Sequence, residues 1–446
     1  MIKQVFSQEG LILKKQEIPM LDKIIENNTD EMISALGRLI AIPSVSKKNH
    51  DEYIYGKDVN DALEEAVKTA QELGFEAKNF GRLAEISFGT GDKKVYIACH
   101  VDVVPAGPGW TKQPFCLTQE NGCLYGRGVL DNKGSAIAVL FAFKALKDAG
   151  YIPTVSLKLL LGGAEETGMD DIPWYTSEFG FPDCGLTPDS IFPIVNTEAG
   201  MFSGKMKFRK SKSIISFNGG TVSNAVPAEA EATVIINNEI KHFSEHGKNA
   251  HASVPWKGIN AIINLAKKLK AAGINDNLTN ALSAFFSDHY AEALGLDGRG
   301  DILGKTTLNV GVIDSDKGFF TIDMRLACPT PENQIIERFT NLAKEYDFEL
   351  EVEKSVPFTH VSPDNPFMRD LSEAFSQITG RNPEFLGSCG LTYAKTLGKN
   401  GVAFGPVFSE EGSECGGLHS CDEFVTIDTL INLQKIYAKT ILRLWC

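Results

Sequence analysis

Histidine is scarce in this chain, with eight copies among 446 residues, and two of the eight keep company that suggests chemistry. His100 lies two residues before Asp102 in "ACHVDVV", and His419 sits in the glycine-flanked "CGGLHSCDEF". Between them come Asp131 in "GRGVLDNKG", the doubled Glu165–Glu166 in "LLLGGAEETG", and Asp189 in "LTPDSIFP". Singly, each has an ordinary explanation. The HxD is a polar pair at a strand end, Asp131 a helix cap, the double glutamate a solvated turn, and His419 a surface residue. Together, two imidazoles and four carboxylates form a nitrogen-and-oxygen donor set that can hold two divalent cations and leave positions open for water.

The adjacent glutamates are the most informative feature. Neighbouring like charges repel and are costly to bury unpaired. Beside two dications that repulsion is outweighed, and adjacent side chains diverge. One carboxylate can then bind metal while the other faces the water. Glu166 is the expected ligand and Glu165 the expected base, taking a proton from water and handing it to the leaving amine. Asp102 is expected to share a strand face with His100 and to accept a hydrogen bond from one imidazole nitrogen, which frees the other for metal.

The elements around these residues alternate. "KKVYIACHVDVV" (93–104) and "TVSLKLLLGG" (154–163) have the apolar texture of buried strands. "LEEAVKTAQEL" (63–73) and "GSAIAVLFAFKALKDAG" (134–150) have helical spacing, the second closing on Gly150 as a C-cap. Such alternation predicts an α/β layer with largely parallel strands, whose carboxyl ends are where ligands bind. From about Phe202 the pattern changes to period-two strands such as "EAEATVIINN", mixed with helices such as "NAIINLAKKLKAAG". Residues 196–357 are therefore expected to form an α+β domain inserted into an α/β domain made of 1–195 and 358–446.

A net charge of −13 argues against nucleic acid or a membrane surface as partner. There is no signal-peptide-like apolar region near Met1 and no stretch of transmembrane length. Nine scattered cysteines without a CxxC pair suit reduced thiols, so a cytoplasmic location is expected.

In this order, the motifs resemble the M20 family of metallopeptidases, and within it the PepV-type (Xaa-His, or carnosinase-like) dipeptidases. The likeness rests on "ACHVDVVPAGPGWTKQPF", "GRGVLDNKG", "GGAEETG", "LTPDSIFPIVNTEAG", "HGKNAHASVPWKGINA", "FTIDMRLACPTP", "GLTYAK" and "VAFGPVF", from about residue 35 onward. It implies a two-zinc site, equally suited by its ligands to manganese or cobalt, on a catalytic α/β domain carrying an α+β lid. His100 and Glu166 match ligands of different metals, and Asp131 matches the bridging ligand, followed by a cis peptide bond to Asn132. Asp189 and His419 complete the two sets, Asp102 matches the residue that orients His100, and Glu165 matches the general base.

On the lid, His251 in "NAHASVP" matches the residue that stabilises the oxyanion, and Arg325 in "DMRLACP" the one that binds the substrate's terminal carboxylate. Asn224 matches a residue near the substrate, and Gly390, Leu391 and Thr392 a substrate-contacting turn, here altered by Cys389 and Leu391. The enlarged lid implies a monomer whose His251 serves its own site. The implied activity is hydrolysis of dipeptides with a free carboxylate, with deacylation of N-acyl amino acids or succinyl-diaminopimelate as the alternative. Residues 1–20 extend beyond the family's usual start and have no assigned role.

Overall fold

The protein is described by a computed structural model covering residues 20–48, 52–408 and 415–445; apart from Met20, the N-terminal extension lies outside the described residues. The chain forms two compact units. One comprises Met1–Asn196, Val361–Leu386 and Leu391–Cys446, the other Thr197–His360 and Gly387–Gly390.

The first unit is built on a mixed sheet. Its strands run in the order Glu76–Asn79, Leu83–Phe88, Ser156–Gly162, Lys94–His100, Cys184–Thr187, Gly401–Ala403 and Ile194–Glu198. The four from Ser156–Gly162 to Gly401–Ala403 are mutually parallel, and the flanking pairs are antiparallel. Alternate residues of the His100 strand enter different apolar clusters. Val95, Ile97 and Cys99 join the larger one, whereas Tyr96 and Ala98 pack with Leu160, Ile172, Tyr175 and Tyr393. The sheet is thus covered on both faces, which explains the near-continuous apolar runs of its parallel strands. Helix Lys133–Asp148 is buried almost all round and packs against helix Ile427–Trp445. Its C-cap is Ala149, one residue before the expected Gly150, whose φ of 82° gives the left-handed turn just past the cap.

One expectation fails in its reasoning. The strand predicted over 93–104 ends at His100, so Asp102 does not sit on it and shares no strand face with the histidine. After His100 the backbone leaves the ladder; Val101 donates to Gly162 O, and Val103 bridges Val45 instead.

The second unit is an antiparallel sheet in the order Glu239–His246, Glu229–Ile236, Ile214–Gly219, Ile313–Asp314, Phe319–Leu326, Gly200–Phe208 and Phe348–Val356. Helices Ala261–Ala271, Asn277–Phe285 and Glu332–Glu345 contribute to its core, where the rings of Phe202 and Phe339 stack at 5.7 Å. The period-two alternation of "EAEATVII" is realised, with Ala230, Ala232 and Val234 turned inward.

Candidate metal centre

The carboxyl edge of the parallel strands gathers seven of the singled-out residues within the first unit. His100 ends its strand opposite Gly162 and is fully buried. Its Nε2 lies 3.0 Å from Asp131 Oδ1 and 3.7 Å from Asp189 Oδ1. Its Nδ1 lies 2.9 Å from the backbone carbonyl of Asp102 and 3.3 Å from the Asp102 carboxylate. A carbonyl oxygen only accepts, so Nδ1 carries a hydrogen and Nε2 is the nitrogen offered to a cation. Burial alone would lower this imidazole's pKa, but the Asp189 charge and the bonds to Asp102, Asp131 and Asp189 outweigh it and hold it well above the usual value.

Asp131 stands between the two histidines. Its Oδ1 faces His100, and its Oδ2 lies 3.1 Å from His419 Nε2, which is also 3.2 Å from Glu166 Oε1. Bonds to Asp131 and Glu166 push the His419 imidazole up to about 10. Burial opposes ionisation of Asp131, yet the two histidines prevail and hold its carboxyl below the usual range. Asp131 caps nothing: the N-cap of the following helix is Asn132, and the Asp131–Asn132 peptide is cis. The buried Asn132 amide donates to Pro188 O and Asp189 Oδ1, while its oxygen accepts from the His100 N–H.

The turn bearing the glutamates is held by two buried aspartates. Asp171 Oδ2 accepts the N–H groups of Gly163 and Ala164, and Asp102 accepts those of Glu165 and Glu166. Tyr393 also donates to Asp171. A Cβ on Gly162 would lie 1.9 Å from Tyr393 Oη, so this close approach explains the first glycine of "GGAEE". The two side chains diverge as adjacent residues do. Glu166 meets His419, whereas the Glu165 carboxylate has no hydrogen-bond partner among the described residues. Burial, then the charges of Asp189, Glu166 and Asp102, keep Glu165 well above the ordinary glutamate range.

Ligand atoms of His100, Asp131 and Glu166 lie within 4.8 Å of one another, as do those of His100, Glu165 and Asp189. Imidazole and carboxylate without thiolate is the donor chemistry of zinc, manganese or cobalt, so the residues fit divalent metals.

The remaining residues fall elsewhere. Thr392, in the first unit, caps the short helix that begins at Tyr393. His251, Asn224, Arg325 and Gly390 belong to the second unit. There Ala225 pairs with His251, and Asn224 O accepts from Ala252 N–H, which makes the asparagine and histidine neighbours. The Ser253 N–H donates to His251 Nδ1, so the neutral ring carries its hydrogen on Nε2. Arg325 is buried, not a surface arginine. Its Nε and Nη2 grip Asp323 at 2.9 and 3.2 Å, and Nη1 donates to Cys389 O at 3.3 Å. Of five guanidinium N–H groups, one on each Nη remains without a protein partner among the described residues.

Burial and then the Arg325 charge lower the His251 pKa. Arg325→Ala is therefore expected to raise it toward the ordinary histidine value in an NMR titration; an unmoved or lowered value would contradict this account.

Sequence reasoning missed Asn132, Asp171, Asp323, Tyr393 and Glu423. The Glu423 carboxylate is fully buried and accepts from Arg127 Nη1 and from the Gly128, Leu130 and Asp131 N–H groups.

The chain belongs to peptidase family M20/M25/M40, whose model matches residues 96–443. It is 30% identical to YtjP of Bacillus subtilis strain 168, a provisionally named dipeptidase, over 430 residues that cover 87% of this chain and 91% of the relative. A similarly named Staphylococcus aureus protein (strain bovine RF122 / ET3-1) is 30% identical over 462 aligned residues, covering 94% and 97%. Among solved structures, the fold resembles the dipeptidase Dug1p of Saccharomyces cerevisiae (TM-score 0.62, 16% identity, 95% and 98% covered). It also resembles human carnosine dipeptidase 1 (TM-score 0.60, 16% identity, 96% and 99% covered). The protein is a metal-dependent peptidase of this family, with a mixed α/β architecture. No helix among the described residues is long and apolar enough to cross a membrane.

Proposed function

We propose that the protein is a dipeptidase acting on short peptides with a free C-terminal carboxylate, at a centre of two divalent cations, zinc by default. The observation that carries this reading is Asp131, one carboxylate oxygen on each of two histidines, with the Glu165 carboxylate beside them free of hydrogen bonds among the described residues. His100, Asp131, Glu166, Asp189 and His419 would hold the metals, with Asp131 bridging. When bound, the cations polarise the scissile carbonyl and make water acidic enough to attack at neutral pH.

The chain's own groups do the rest. Asp102 fixes the His100 tautomer and the backbone that presents both glutamates. Glu165 accepts the water's proton and delivers it to the leaving amine; partial burial, which raises its basicity, suits both halves of that task. His251, neutral with Nε2–H outward from Ser253, donates to the developing oxyanion. The free pair on Arg325 takes the terminal carboxylate, with Asn224, Gly390 and Thr392 contacting the rest of the substrate.

Residues 197–360 act as the lid, closing to exclude water. The enzyme works as a monomer, His251 serving its own site, in the cytoplasm. The eight described cysteines are all free thiols, in keeping with that location.

Metal-stripped protein titrated with Zn²⁺ or Mn²⁺ is expected to regain hydrolysis of Ala-Ala and β-Ala-His, leaving N-acetyl-Ala intact. Cleavage of the acetylated substrate alone would make it a deacylase with the same chemistry. Full activity without metal would overturn the mechanism.

A further inference from the structure

Two loops that carry presumptive ligands meet at one side chain that belongs to neither ligand set. The "GRGVLD" loop presents Asp131, and the loop of residues 417–423 presents His419. Glu423 closes the first loop around itself. Oε1 accepts the Leu130 and Asp131 N–H groups at 2.9 and 3.0 Å, and Oε2 accepts Gly128 N–H at 2.9 Å and Arg127 Nη1 at 2.6 Å. Its own backbone carbonyl accepts from Gly126 N–H. Arg127 returns the grip, donating through Nη2 to Ser420 O, one residue past His419, at 2.9 Å. Its guanidinium also lies over the Trp110 ring. Both charged groups are essentially excluded from solvent, at 1% and 0% side-chain exposure.

A buried ion pair is weak evidence for stability, because desolvating the charges cancels much of their attraction. The pair's purpose is better sought in the geometry it enforces. Three of the four donors on Glu423 are backbone amides, and the last is that of Asp131 itself. We infer that Glu423 is a positioning residue that aligns the Asp131 carboxylate with the His419 loop, so that the metal-binding strength of the two is set together. This rests on the metal centre proposed above. Both Glu423 oxygens are taken up by these four donors. The residue acts on the ligand as a buried outer partner does, and such partners are worth about 10–100-fold in metal affinity.

The test compares the metal affinity of Glu423→Gln, Glu423→Asp and Arg127→Lys with that of the parent, by competition for Zn²⁺ with a chromophoric chelator. An ion pair that merely stabilises the fold makes the glutamine and lysine variants alike. A carboxylate that works through three amides makes them differ. Glu423→Gln leaves a neutral amide whose NH₂ must face donors, so roughly 10–100-fold weaker zinc binding is expected. Arg127→Lys leaves all three amide bonds in place and is expected to stay within about threefold of the parent, well short of that loss.

Should the glutamine variant fail to fold, Glu423→Asp keeps the charge but withdraws the oxygens by one methylene, and weakened zinc binding is expected there too. Parent-like affinity in the folded glutamine variant, or in the aspartate variant if glutamine does not fold, overturns the inference, as does an equal loss in Arg127→Lys. No substrate enters this measurement. A parent that binds zinc yet cleaves no dipeptide overturns the dipeptidase reading and leaves the inference intact. A parent that binds no metal overturns both.

Discussion

Glu165→Gln is expected to lower kcat by about 10²–10⁴-fold while the protein retains the metal content and affinity of the parent. The residue holds no hydrogen bond among the described groups, whereas its neighbour Glu166 contacts His419. Removing the acid function of Glu165 therefore takes away proton transfer without dismantling the donor set around Asp131. Glutamine keeps the shape and cannot accept a proton at neutral pH, so ground-state binding should persist and KM should change far less than kcat. Metal content after equilibrium dialysis, together with initial rates on Ala-Ala, checks both halves. The grouping of Glu165 with His100 and Asp189 within ligand reach makes the measurement decisive. If Glu165 is itself a ligand, the variant loses metal along with turnover, and the roles of the two glutamates must be exchanged.

Asp102→Ala should be costly in a different way. The fully buried carboxylate accepts the N–H groups of Glu165 and Glu166 at 3.2 and 3.1 Å and stands 3.3 Å from His100 Nδ1. Alanine leaves two amides without their acceptor, at about 1–3 kcal/mol each, or about 2–6 kcal/mol in all. Urea denaturation of the metal-free protein measures that loss. The same change frees the glutamate turn and relaxes His100, so metal affinity should fall by a further 10–100-fold, approximately the cost of losing an outer-shell partner. Asp102→Asn should fall between parent and alanine, because one amide keeps an oxygen to bond. An alanine variant as stable and as tightly metallated as the parent would mean that the aspartate is ornamental.

What could be foreseen from the residues follows a physical division. Side chains that can offer atoms to a cation are restricted in type, so His100, Asp131, Glu166, Asp189 and His419 stand out in the sequence, and the structure brings them to one edge of the sheet. The α/β alternation was equally visible, since a sheet covered on both faces requires continuous apolar strands. Asp102 was the right residue for the wrong reason: its contacts come from a chain that has left the strand, where period-two geometry no longer applies. Two of the groups that escaped notice work through the main chain. Asp171 and Glu423 bond to amides, and every residue but proline has one, so no spacing pattern betrays them. Asp323 sat in view in "IDMRLA", yet only the fold reveals that it occupies one edge of Arg325 while Nη1 reaches the Cys389 carbonyl.

The clasp between Glu423 and the Asp131 loop has a consequence in time. Asp131 and Glu423 are 292 positions apart in the chain, so the whole of the second unit must be made before the loop can be closed. A nascent chain that has emerged only as far as Asp189 carries four of the five residues proposed to hold metal but lacks both His419 and the Glu423 carboxylate that bonds the Asp131 N–H. On the two-metal reading proposed above, the donor set is complete only once His419 has been made, and the clasp that orients Asp131 closes only with Glu423 a few residues later.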